Sequence, residues 1–246
     1  MKNVNNYYTK KIGFVSNFLI ASSYQSCILI SMITRENLKA IFFDMDGVLV
    51  LSEPVHDLAW EECCKKLCPE ALPMDFTPFI GKADLIVATY LKDTFSLKHS
   101  LLEVYETKRQ AFIKLVQQGV PSPAGRDEIL KHLHGQYKMG VVSSAGSKEV
   151  ETILNREGIK HFFDFVITFE DVTSHKPDPM PYRLALQKAG TLPNNALVFE
   201  DSPTGIRAAR SAEIPVVALS TNYSIFPDFP EVPIFANYHE ILTTLF

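Results

Sequence analysis

Two aspartates one residue apart, Asp44 and Asp46, follow the apolar run Ala40 to Phe43 and precede Gly47. A carboxylate there can attack phosphorus in line while a cation neutralises the developing charge. A second acid two residues on can protonate the leaving oxygen and then activate water. Spacing of i to i+2 past a strand end can bring both carboxylates to one side, and Gly47 permits the turn this requires. A solvated loop pair is the plain alternative. Glu200-Asp201 ends another apolar run and supplies further hard oxygen donors. Magnesium takes near-octahedral oxygen coordination beside one or two carboxylates. Asp44, the backbone carbonyl of Asp46 and Asp201 would make such a set, with Glu200 in the inner or outer shell. Asp201-Ser202-Pro203 also reads as an ordinary helix start.

Two other stations could meet a phosphate. Ser143 and Ser144 close the run Met139 to Val142, and hydroxyls with free amides at a strand-to-helix junction suit an anionic oxygen. They equally suit a plain turn or cap. Lys176, within Ser174-His175-Lys176-Pro177-Asp178-Pro179, can offer a fixed positive charge from a loop stiffened by two prolines. An isolated loop lysine is otherwise simply solvated.

These stations need strands to hold them. Ala40–Phe43, Met139–Val142, Phe165–Ile167 and Ala196–Phe199 read as short buried strands; Ile214–Leu219 and Pro233–Phe235 are weaker. Helical patterns at Asp127–His134, Lys148–Glu157, Pro181–Ala189 and Thr204–Ser211 alternate with them. Such alternation predicts an α/β fold, a parallel sheet with helices on both faces. In such sheets the ligand crevice lies at the carboxyl ends of the strands, where the polar clusters fall. Helical patterns at Leu58–Leu67, Ala83–Leu91 and Leu101–Gln118 break the alternation. Residues 53–121 are therefore expected to be an inserted α-helical cap, and residues 35–52 with 122–246 the core.

The 246 residues, 46% hydrophobic and 21% charged, belong to an ordinary globular chain. A net charge of −4 leaves no footprint for nucleic acid or an anionic membrane surface. Cys27, Cys63, Cys64 and Cys68 form no pairable or zinc-like framework, so reduced thiols in a cytoplasmic protein are expected. Residues 1–34 stand apart. Lys10 and Lys11 precede the interrupted apolar stretch Ile12 to Ile30, and Met32 lies just before the first clear strand. The segment reads as a disordered extension or mis-assigned start, or as a weak export signal or anchor.

FFDMDGVL (42–49), VVSS (141–144), HKPDP (175–179) and FEDSPTGIRAA (199–209) occur in an order and spacing that resembles the haloacid dehalogenase superfamily. The match is to its capped phosphatase branch near β-phosphoglucomutase, and covers roughly residues 39–219. The resemblance implies a Rossmann-like core, Asp44 as nucleophile and Asp46 as general acid/base. It further implies Ser143 and Lys176 as phosphate ligands, with Ser144 beside them, and Asp44, Asp46, Glu200 and Asp201 around Mg2+. Phosphoryl transfer is favoured over dehalogenation, since dehalogenases of this superfamily lack the second aspartate. SEPVHDLAW (52–60) resembles the family's hinge, bringing His56 and Trp60 to the substrate. Gly81 with Lys82 resembles its specificity loop, and Lys108 a cap lysine. Trp60 as core packing, His56 as a satisfied hinge histidine and Lys108 as a solvated helix face are the plainer readings.

Leu51 stands where the family has Asp, Asp84 where sugar-phosphate mutases have Arg, and Glu213 where Gly is common. The expected activity is magnesium-dependent hydrolysis of a small phosphorylated metabolite by a monomer, without nucleic-acid or membrane partners. A β-phosphoglucomutase-type mutase is the alternative, and a non-catalytic metabolite-binding protein the third possibility.

Overall fold

The computed structural model describes residues 37–79, 84–221 and 226–246. Expectations for the N-terminal segment, including Cys27, and for Gly81 and Lys82 therefore lie outside the described residues. Contacts divide the chain into two compact units, with boundaries at Leu51/Ser52 and Val120/Pro121.

The larger unit holds a six-stranded sheet: β1 (Ala40–Phe43), β2 (Lys138–Val142), β3 (Phe165–Ile167), β4 (Ala196–Glu200), β5 (Val216–Leu219) and β6 (Ile234–Phe235). The order is β3-β2-β1-β4-β5-β6, and all pairs are parallel. Every residue of β1, β4 and β5 is buried, as expected for parallel strands covered on both faces. Side chains alternate between faces. Phe42 and Val198 enter one core with Tyr182 and Ile206, from α6 (Met180–Ala189) and α7 (Pro203–Ser211). Phe43 meets Phe163, and Phe199 meets Tyr238 of α8 (Tyr238–Leu245) edge-on. The expected α/β architecture with a parallel sheet is what forms.

Helices α4 (Arg126–Leu133) and α5 (Ser147–Arg156) complete the set, close to their expected positions. Helix α8 lies outside the helical patterns of the sequence, although a cap signal is present: Asn237 accepts from the Glu240 amide at 3.1 Å, and Glu240 accepts from Ala236 N. Glu213 does adopt the left-handed region, with φ +62°.

The smaller unit packs α1 (Glu53–Leu67), α2 (Asp84–Thr94) and α3 (Leu101–Val116). Helix α1 begins five residues before its apolar pattern, because Pro54 is tolerated in a first turn whose N–H groups have no i−4 partner within the helix. A reciprocal cap starts α3: Ser100 N donates to Glu103 Oε2 at 2.7 Å, and Glu103 N to Ser100 Oγ at 3.2 Å. The core contains Trp60, Cys63, Cys64, Cys68, Val87, Leu91 and Val104. Burial pushes the Cys63 thiol up to about 12. The three thiols are free and buried, as core residues are. Among the described residues no helix is long and apolar enough to cross a membrane.

Candidate active site

Register explains why the stations meet. Phe43 of β1 is level with Val141 of β2 and Phe199 of β4, so the residues following them emerge together at one sheet edge. Asp44 extends the ladder by one bond, its amide donating to the Phe199 carbonyl at 3.0 Å. The chain then coils on itself. The amides of Val48, Leu49 and Val50 all point at the Met45 carbonyl, at 3.3, 2.8 and 3.1 Å. Gly47 sits in this coil with φ +78°, and a methyl group there would overlap the Asp201 carboxylate. Two features therefore demand glycine at one position: the left-handed backbone and the neighbouring acid. The far side of the coil is held by Tyr238, whose hydroxyl donates to the Val48 carbonyl (3.1 Å), and by Arg126, which donates to the Leu49 carbonyl (3.2 Å).

Lys176 is the centre of the cluster. Its ammonium donates to Asp44 Oδ1 at 2.6 Å, Glu200 Oε1 at 2.7 Å and the Val142 carbonyl at 2.9 Å. Three N–H groups thus meet three acceptors, from the ends of β1, β4 and β2. Far from being a solvated loop lysine, it has a side chain only 5% exposed. Glu200 is fully buried and engaged at both oxygens: Oε1 also accepts from Tyr182 (2.7 Å), and Oε2 from the Ser202 hydroxyl (3.1 Å) and the Asp201 amide (3.2 Å). Gly205 makes room for it, since a side chain there would collide with the Glu200 carboxylate. Ser202 caps α7 through the Gly205 amide at 3.0 Å, so capping and site-building coexist in one segment.

Charge in this buried space is unbalanced. Burial, opposed by Lys176 and reinforced by Glu200 and Asp46, pushes the Asp44 carboxyl up to about 8. Asp201 is held well above the carboxylate range by burial and by Asp44 and Glu200. Burial works against the Lys176 ammonium, but Asp44 and Glu200 prevail and hold it above the usual lysine range. Carboxylate oxygens of Asp44, Glu200 and Asp201 lie within 4.8 Å of one another. Hard, crowded oxygen donors with excess negative charge suit a divalent cation such as magnesium.

The serine station is less open than its sequence suggests. Ser143 is buried, and its hydroxyl accepts from the Ala145 amide at 3.0 Å; Ser144 is exposed. The next amides are occupied by acids, Gly146 N by Glu149 (3.3 Å) and Ser147 N by Glu170 (2.9 Å). Hydroxyls, rather than the start of α5, are what this segment has to offer an anion.

In the smaller unit, Lys108 is not on a solvated helix face; it is fully buried. Its ammonium donates to Asp84 Oδ2 at 2.5 Å and lies 2.7 Å from His56 Nδ1. It also lies 4.8 Å from the Phe112 ring centroid and 5.6 Å from that of Trp60. His56 stacks on Phe112 with centroids 4.3 Å apart, and Trp60 belongs to the core, stacked on Phe76. Burying a long cation takes a paired acid and a ring surface, and Asp84 is that acid. Its pairing with Lys108 across 24 residues has no local sequence signal.

The sequence pattern of haloacid dehalogenase-like hydrolases matches residues 41–219. The fructose-1-phosphate phosphatase YqaB of Escherichia coli is 29% identical over 192 residues, spanning 74% of this chain and 96% of its own. A phosphorylated carbohydrates phosphatase of Thermotoga maritima is 31% identical over 183 residues, spanning 72% and 82%. The structure of CbbY from Rhodobacter sphaeroides in complex with phosphate is similar in fold, with a TM-score of 0.71 at 21% identity, covering 85% of this chain and 99% of that one.

Proposed function

The chain belongs to the haloacid dehalogenase-like hydrolases, and from that premise we propose that it is a magnesium-dependent phosphatase of a small phosphorylated metabolite, such as a sugar phosphate. The observation that carries this reading is the buried Lys176 bridge between Asp44 and Glu200 at the carboxyl ends of three neighbouring strands. The relatives that act on fructose 1-phosphate and on phosphorylated carbohydrates support the substrate class.

Asp44 is the nucleophile. Lys176 pins one of its oxygens, which fixes the plane of the carboxylate and orients the other. As the Asp44 O–P bond forms and the ester P–O bond breaks, Asp46 gives its proton to the departing oxygen. Water then attacks the phosphorus of the aspartyl-phosphate, Asp46 takes the water's proton, and the Asp44 carboxylate is regenerated. Ser143 and Ser144 hydroxyls and the Lys176 charge hold the phosphoryl oxygens. Asp44, Asp201 and the Asp46 carbonyl would hold magnesium, which would supply positive charge to the phosphate. Glu200, with both oxygens already engaged, acts beside that set by fixing Lys176. Residues 53–121 serve as the cap that selects the leaving group. Asp84 is committed to Lys108, and the reading as a mutase, which must hold a second phosphate, gains nothing from it.

Phosphate release from a panel of sugar phosphates with magnesium tests this, read together with isomer formation. Release abolished by Asp44→Asn is the expected outcome. A panel without any release, or isomer formation dependent on a bisphosphate, would sink the proposal.

A further inference from the structure

Tyr182 takes no part in the chemistry above, yet it is completely buried in α6, six residues after Lys176, and touches two members of the cluster. Its hydroxyl donates to Glu200 Oε1 at 2.7 Å, the same oxygen that receives the Lys176 ammonium. Its ring lies beneath that ammonium, 5.0 Å from Nζ to the centroid. A hydrophobic residue would fill the position equally well for packing, as the surrounding Ala185, Leu186 and Ile206 illustrate. The hydroxyl is what packing does not explain.

We propose that Tyr182 is a positioning residue, which acts through Glu200 to fix the Lys176 ammonium against Asp44. The ammonium has three N–H groups, and each is already directed at one of three acceptors. Its location is therefore set by the balance of pull among Asp44, Glu200 and the Val142 carbonyl. Glu200 is desolvated, so a carboxylate oxygen deprived of one donor draws harder on the donor that remains. The tyrosine proton satisfies Oε1 beside the Lys176 ammonium, and the ring gives the ammonium a floor it cannot sink through. Without the hydroxyl, Lys176 is drawn towards Glu200 and its bond to Asp44 loosens. The nucleophile then loses the contact that orients it.

The kinetic consequence rests on the proposed phosphatase reading; the positional one does not. Tyr182→Phe keeps the ring and removes only the hydroxyl. In protein labelled with 15N-lysine, a buried, triply bonded ammonium exchanges its protons slowly enough to give its own proton–nitrogen signal. Loss of the signal in Lys176→Met assigns it, and the Lys108 signal from the other unit is the control. Tyr182→Phe is expected to speed exchange at Lys176 about fivefold or more while leaving Lys108 unchanged and lowering the melting temperature by only about 2–8 °C. With p-nitrophenyl phosphate and magnesium, kcat is expected to fall about tenfold and KM to change less than about twofold. A wild-type spectrum without a Lys176 signal would overturn the proposal, as would a signal that Tyr182→Phe leaves unchanged. So would loss of both lysine signals together with a larger drop in melting temperature, which marks a merely structural tyrosine. Should the wild-type protein release no phosphate, the phosphatase reading fails, and the ammonium signals still decide the role of Tyr182.

Discussion

Replacing the nucleophile should stabilise the protein when no metal is present. Asp44 is crowded by the carboxylates of Glu200 and Asp201 and by the half-buried Asp46, against the Lys176 ammonium. Its carboxyl is raised from 3.8 to about 8. Between these values the folded protein keeps a proton that the unfolded chain has released. The folded state then binds more protons, so stability falls as pH rises through that window and levels off above it. One proton gives a slope of at most about 1.4 kcal/mol per pH unit, and the whole window a ceiling of about 6 kcal/mol. Rearrangement and water entry reduce what is realised, and about 2 kcal/mol at pH 8 is expected. Asp44→Asn keeps the shape and an acceptor for Lys176 but has no charge to bury. In EDTA its advantage over the wild type should grow from pH 4 to pH 8, reaching about 4–8 °C in melting temperature. Magnesium at pH 8 should narrow the gap by stabilising the wild type more than the variant. Thermal unfolding followed by circular dichroism across this range measures it. A variant less stable than the wild type at pH 8 in EDTA, or a gap independent of pH, would refute the electrostatic reasoning.

Gly47→Ala combines a strained backbone with a methyl group against Asp201, so phosphate release should fall at least about tenfold and stability by about 1–3 kcal/mol; turnover close to wild type would contradict the site geometry. Lys108→Met strands Asp84 and should cost about 3 kcal/mol in urea unfolding, part of it regained by adding Asp84→Asn; equal stability of the single and double variants would argue against the pair. Cys63, with its thiol pushed up to about 12, should resist a thiol reagent at pH 8 until the chain is unfolded, and rapid labelling of native protein would show the core is not closed there.

Legibility in the sequence followed distance along the chain. Asp44, Ser143 and Glu200-Asp201 could be found because each follows a short apolar run, and a parallel sheet brings such ends to one edge whatever lies between them. Strand limits were readable where polar residues flank an apolar run: Lys39 and Asp44 bound β1, and Asp164 and Thr168 bound β3. Lys176 was recognisable through its prolines and its company, but not its burial, which depends on Glu200 24 residues away. Tyr182 carries no sequence signal of its own, because a phenol that packs and a phenol that donates have the same spacing on a helix. Lys108 reads as solvated because no acid stands three or four residues from it on its helix; Asp84 and His56 arrive from two other helices. Asp84 was visible as a departure from the mutase pattern, whereas what it does instead required the packed unit. Helix α8 is hard to read although Asn237 and Glu240 carry its cap, since eight residues offer little periodicity.

If Asp44 is the nucleophile, the phosphoryl group passes through its carboxylate. Rapid mixing of the enzyme with magnesium and a turned-over substrate, acid quenching and mass spectrometry of the peptides measure this directly. The wild-type protein should carry one added phosphoryl group on the peptide containing Asp44, and Asp44→Asn should carry none and release no phosphate. Continued phosphate release by Asp44→Asn, or a phosphoryl group found on another residue, would contradict the account.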